Sequence, residues 1–244
     1  MPDEDHENTH MVLQGPAGAI LIDCVGRPLT NLKKIGIAFN DLHDIILTHF
    51  HPDHVGSVPN LLITSWLLGR REPLRLYGLA HCMERIEDLM TMYHWEEWRG
   101  FYPVAFHYVP EREDVLVFEN EDFRITSSPV RHYVPVIGLR IEVKETGFVL
   151  AYSSDTVPCP EVVRLSKDAD LLIHEAAGFE PLGHAAAYQA GEMATKAGAK
   201  RLGLIHYPVW EADTSHLVPD AESTFDGPVF LCEDFMEIPL KPEE

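Results

Sequence analysis

The sequence predicts a mixed α/β protein, two β-sheets packed face to face with helices outside in a four-layer αββα sandwich. Three observations lead there. Short apolar runs rich in β-branched residues recur along the chain, segments with apolar residues at helical spacing separate the early and late ones, and a block of consecutive strands lies between. No long linker, low-complexity tract or repeat interrupts the 244 residues, of which 45% are hydrophobic. That is enough for one substantial domain, 1–244.

Residues 18–24 (GAILIDC) form a buried strand that ends on Asp23, and residues 44–48 (DIILT) form another. Between them residues 29–39 have helical spacing and close on the turn signal Asn40-Asp41. Residues 58–68 repeat as a helix, residues 74–77 as a strand, and residues 80–98 (Met83, Ile86, Leu89, Met90, Tyr93) as an amphipathic helix. Strands follow at 115–118, 123–127, 138–143 and 148–152, the last two joined across Glu145-Thr146-Gly147. A strand at 171–174, a helix at 185–197 ended by Gly198, and a strand at 201–206 complete the pattern.

Composition excludes several classes. No apolar run approaches the roughly 18 residues of a membrane span, and Met1 to His10 is acidic rather than basic then apolar, so a membrane partner and a signal peptide are not expected. The expected location is the cytoplasm. Cys24, Cys82, Cys159 and Cys232 lie far apart and read as reduced core residues rather than a disulfide framework. The net charge of −20 repels polyanions at long range. The one basic cluster, Arg70, Arg71 and Arg75, reads as a solvated turn after a helix.

The chemistry is concentrated in Thr48-His49-Phe50-His51-Pro52-Asp53-His54, directly after an apolar strand, where a rigid sheet holds a loop for site building. Imidazole and carboxylate without thiolate suit zinc, with manganese or iron also admissible. Alternation puts His49 and His51 on one side of an extended chain, able to share an ion, while Asp53 and His54 face a second. The plain alternative is a polar surface loop that happens to be rich in histidine.

His-x-His-x-Asp-His after a strand resembles the signature of the metallo-β-lactamase superfamily. The resemblance implies further ligands at the ends of later strands, and the chain offers His132 in Ser-Pro-Val-Arg-His-Tyr, Asp155 in Ala-Tyr-Ser-Ser-Asp-Thr and His206 in Leu-Ile-His-Tyr-Pro. By carry-over His49, His51 and His132 hold the first of two divalent ions, Asp53, His54 and His206 the second, and Asp155 bridges. Aspartate at 155 with histidine at 54 argues against the lactam-cleaving enzymes; histidine at 51 favours hydrolysis over the di-iron oxygen reductases.

Ile173-His174-Glu175-Ala176-Ala177 and Gly183-His184, followed by Gln189-Ala190-Gly191, are similar to the ribonuclease Z branch. That branch implies a phosphodiesterase with a hydroxide between the ions as nucleophile, oriented by Asp53, and a proton relay formed by Glu175 and His184. The plain alternative makes Glu175 and His184 caps of the segments they precede.

The chain departs from the branch at Ala185 and Ala186, where Ser-Thr is usual. Only 22 residues separate His132 from Asp155, where the branch carries its tRNA-gripping arm. The family's glycine-rich first strand belongs before Pro2, which implies a late start or a missing strand. The expected partner is therefore a small-molecule or short phosphodiester substrate. Charge and the missing arm disfavour tRNA, and a homodimer stays open. Hydrolysis of a small-molecule sulfate ester, lactone or thioester, or a metal-binding module without catalysis, are the competing readings. His6, His10, His43, His81, His94, His107 and His216 lack ligand spacing. Tyr93, Trp95, Trp98, Phe101 and Tyr102 read as packing for a covering helix, with a substrate wall as the lesser reading.

Overall fold

The computed structural model describes residues 4, 6–178 and 183–241. The chain divides into two compact units, Asn8–Pro110 and the described residues of Met1–Glu7 together with Glu111–Glu244, each built on one sheet.

The first unit holds a five-stranded sheet ordered β1 (Met11–Gly15), β2 (Gly18–Ile22), β3 (Leu42–Ile46), β4 (Leu74–Leu79), β5 (Val104–Val109). An antiparallel hairpin opens it and the other pairs are parallel, so each crossover needs a helix. These are α1 (Pro28–Lys34), α2 (Pro52–Val55) with α3 (Val58–Leu67), and α4 (Ala80–Met92). Val58, Leu61 and Leu62 of α3 and Cys82, Met83, Ile86 and Met90 of α4 pack against Leu21, Ile45, Leu47, Leu74 and Leu76 of the sheet, the three-and-four spacing that makes one helix face apolar.

The second unit begins with an antiparallel meander, β6 (Val115–Glu119), β7 (Phe123–Pro129), β8 (Ile137–Val143) and β9 (Val149–Tyr152). It then turns parallel through β10 (Leu171–Glu175), β11 (Leu202–Ile205) and β12 (Val229–Leu231). Its crossovers are α5 (Pro160–Leu165), α6 (Ala187–Ala197) and α7 (Leu217–Glu222). Ala187, Ala190 and Ala194 of α6 pack with Leu172 and Leu204 of the sheet and Ala221 of α7. Gly191 faces α7 so closely that a Cβ there would lie 2.4 Å from Ala221 O, which only a bare backbone tolerates.

The mixed α/β class with two sheets therefore holds, and several element boundaries move. The helix expected over 80–98 stops at Met92, because His94 takes the left-handed conformation (φ 52°) and its N–H turns back to Thr91 O. Only a single 3-10 turn, Trp95–Glu97, follows. The 29–39 helix shortens to α1, and the strand expected at 44–48 lies at Leu42–Ile46. Of the aromatic group, Trp95, Trp98, Phe101 and Tyr102 belong to the helix-side core, with Trp66 stacked on Trp98, while Tyr93 is exposed. Cys24, Cys82 and Cys159 are buried and Cys232 is half-buried.

Arg70 is not a solvated residue. Its guanidinium is buried and donates to four carbonyls, Phe39 O, Leu42 O, Glu72 O and Pro73 O, at 2.7–2.9 Å, tying the turn after α3 to the chain entering β3. Arg75 grips Asp44 through both carboxylate oxygens, and Tyr77 donates to the same group. The apparent basic cluster is thus largely consumed in holding β3 to β4.

Candidate metal centre

In the first unit the loop leaving β3 carries His49 and His51, and Pro52 starts α2 so that Asp53 and His54 fall in its first turn. Proline there costs no hydrogen bond and presets the helical φ. His49 Nδ1 bonds to Thr48 Oγ1 at 3.0 Å, which directs Nε2 towards His51 Nδ1, 3.0 Å away. The His54 ring centroid lies 4.1 Å from that of His49. Three imidazoles therefore crowd one loop and helix start, with His49 and His54 fully buried.

Asp23 organises this loop. It follows β2 at φ 60°, is fully buried, and accepts from Thr48 N (2.8 Å), Thr48 Oγ1 (2.9 Å) and His54 Nδ1 (2.8 Å). The carboxylate on Nδ1 fixes the His54 tautomer and leaves Nε2 as the nitrogen that could ligate a metal. Sequence reading noted Asp23 as the end of a strand and gave it no role. A lone carboxylate closing an otherwise apolar strand was the available signal.

In the second unit the relevant residues follow strand ends. His132 lies in the loop after β7, with Nδ1 bonded to Gly183 O at 2.8 Å. Asp155 follows β9 and is buried, reached through Ser154 at φ 52°; His206 follows β11 and is itself at φ 54°. Such left-handed conformations of non-glycine residues cluster at functional sites. Asp155 Oδ2 stands 3.5 Å from His206 Nε2, 3.9 Å from His184 Nδ1 and 4.0 Å from His132 Nε2.

Glu175 closes β10 and is fully buried. Its carboxylate accepts from Thr156 N (2.9 Å), Ala177 N (3.0 Å) and His184 Nδ1 (2.9 Å). So it does bond the segment that follows it, and it also holds His184. The helix start is served otherwise, with Gln189 Oε1 accepting from Ala186 N. His174, one residue earlier and directed to the opposite face of the strand, donates to Glu175 O at 2.7 Å, and burial pushes its pKa down, which keeps it neutral. Thr156 has no assigned role in the sequence and Gly183 figures there only as part of a motif; both reach the site through backbone atoms, which carry no side-chain signature.

The donor chemistry fits divalent cations. Imidazoles are oriented through their second nitrogen by Asp23, Thr48 and a backbone carbonyl, and a buried carboxylate is shared among histidines, as metal ligands require. Asp155, His184 and His206 each offer an atom within 4.8 Å of the others.

The family model for the beta-lactamase superfamily domain matches residues 19–207. The chain belongs to this superfamily. The match runs through the 49–54 motif and ends just past His206. Within the superfamily this member is ribonuclease Z-like. It is 29% identical over 296 aligned positions to ribonuclease Z of Methanothermobacter thermautotrophicus, covering 99% of this chain and 94% of the relative. Human tRNase Z, short form, superposes with a TM-score of 0.77 at 25% identity, covering 99% of this chain and 95% of that one. The metallo-β-lactamase fold protein YhfI from Bacillus subtilis gives a TM-score of 0.79 at 24% identity over 96% and 92% of the two chains. The fold is thus the metallo-β-lactamase fold, and the superfamily member is a metal-dependent hydrolase. Among the described residues no helix is long and apolar enough to cross a membrane.

Proposed function

We propose that the two units act as one domain, holding a pair of divalent ions, zinc foremost, to hydrolyse phosphodiester bonds in a small or short substrate. His49, His51 and His132 would hold one ion and Asp53, His54 and His206 the other, with Asp155 between them. The observation that carries this reading is Asp155 Oδ2 within 4.0 Å of both His132 Nε2 and His206 Nε2, one histidine from each proposed ligand set. When bound, the ions acidify water for attack and neutralise charge on the phosphoryl oxygens.

The chain's own residues do the rest. Asp53 orients the attacking water. Glu175 accepts from His184 Nδ1, which stabilises the imidazolium and leaves the Nε2 proton available for the departing oxygen. Once that proton is given up, Glu175 keeps the neutral ring in the same tautomer, ready to be recharged by the next water.

Substrate size follows from charge and length. A net charge of −20 opposes a long polyanion. The Methanothermobacter relative aligns over more positions than this chain has residues, and only 22 residues lie between His132 and Asp155. A short diester therefore fits better than tRNA. The scattered cysteines support a reducing, cytoplasmic setting.

The test is turnover of bis(4-nitrophenyl) phosphate by zinc- or manganese-loaded protein. His184→Ala retains metal and loses about 10²–10⁴-fold in rate. Unchanged turnover in that variant removes His184 from the mechanism. Turnover of an aryl sulfate or a lactone in place of the diester moves the substrate class, and processing of precursor tRNA at moderate salt overturns the small-substrate reading.

A further inference from the structure

Tyr133 is an exposed aromatic ring built against the candidate metal centre. It follows His132 directly, and 58% of its surface is open to solvent. Its ring centroid lies 5.4 Å from that of His132, tilted by 53°. Backbone packs against it too: a Cβ on Gly183 would sit 3.3 Å from both Tyr133 Cδ2 and Cε2, and 2.8 Å from His132 Nδ1. Gly183, at φ 75°, is bare for two reasons: the left-handed backbone, and a Cβ that would press on both the His132 ring its carbonyl anchors and the tyrosine beside it.

Single exposed aromatics are ordinary on protein surfaces. This one differs in that its edge is fixed by a residue of the site and by the backbone next to His184, the proposed proton donor. His132 and His184 ring centroids are 4.9 Å apart, so a group leaving towards His184 or retained beside His132 passes within reach of the phenol ring. The ring offers a π-face and an apolar body, and sequence-tolerant stacking of planar groups is what such a face does best.

We infer that Tyr133 is a specificity-determining residue, a platform for a planar aryl or nucleobase substituent esterified to the phosphate. This rests on the hydrolase reading above and adds the class of substituent. It predicts a preference for aryl over alkyl phosphoesters that resides in binding rather than in the chemical step.

The experiment uses zinc-loaded full-length protein and two ligands of equal charge, phenyl phosphate and methyl phosphate, titrated calorimetrically, alongside turnover of bis(4-nitrophenyl) phosphate. Wild type binds phenyl phosphate more tightly by about tenfold, the scale of one stacking contact. Tyr133→Phe keeps that ratio, and Tyr133→Ala brings it near unity, raising KM about as much while kcat and metal content hold. A phenyl preference that survives Tyr133→Ala, or a variant that loses metal and kcat together, overturns the inference, the latter by showing a purely structural prop for His132. If wild type shows the phenyl preference but no diester turnover, the reaction assignment fails while the platform stands. If it turns over diesters without any phenyl preference, the reverse holds.

Discussion

Replacing Asp23 with asparagine tests the support beneath the first half of the metal centre. Asparagine tolerates the left-handed backbone that position 23 adopts (φ 60°), so the change is confined to one oxygen becoming an NH2 group. The carboxylate accepts from Thr48 N and Thr48 Oγ1 and from His54 Nδ1. The amide can keep its oxygen on Thr48 N and then presents N–H to His54 Nδ1, two donors facing each other in a fully buried site. Leaving that donor unsatisfied costs about 1–3 kcal/mol. His54 has one escape, moving its proton to Nε2 so that Nδ1 accepts from the amide, but the escape consumes the nitrogen needed for a metal. The expected result is metal-free protein destabilised by about 1–3 kcal/mol in urea unfolding, and zinc affinity lowered about 10–100-fold in competition with a chromophoric chelator. Zinc affinity equal to wild type would mean that Asp23 does not set the His54 tautomer.

Arg70→Met removes the donors that four carbonyls share and should lower unfolding stability by about 3–5 kcal/mol at about one per orphaned acceptor, read as a shift in urea midpoint; a shift too small to measure would show those carbonyls satisfied by solvent. His174 is neutral in the fold because burial lowers its pKa. The unfolded chain takes up that proton first, so stability contributed by keeping it neutral is lost as pH falls below about 6.5. His174→Gln should show a shallower decline of stability over that acidic range than wild type, and parallel pH profiles would contradict the assignment.

How far the sequence foretold the structure depends on where each signal resides. The 49–54 motif was readable because its imidazoles and carboxylate fall on one loop and one helical turn, and the strands leading to Asp155, Glu175 and His206 were readable because they are buried, apolar and short. The pairing of Glu175 with His184 could be named only through resemblance, since their 2.9 Å contact joins residues nine apart in sequence. Asp23 was missed because its role exists only once β2 and the β3 loop are adjacent, 25 and 31 residues apart in sequence. The end of α4 was missed because His94 stops it by backbone conformation, without the glycine or proline that marks such stops. The edge strands β1 and β5, the three-residue β12 and the six-residue helices α5 and α7 are too short or too mixed in polarity for periodicity to register. Arg70 looked like surface because nothing in the sequence distinguishes a guanidinium that salts a turn from one that fills it with hydrogen bonds.

The proposed site holds two ions, with Asp155 shared between the two ligand sets. Elemental analysis of zinc-reconstituted protein after removal of loosely bound metal counts those ions directly. Two zinc ions per chain are expected in wild type and fewer than two in Asp155→Ala. One ion or none in wild type, or two ions retained when Asp155 is gone, would contradict the shared site.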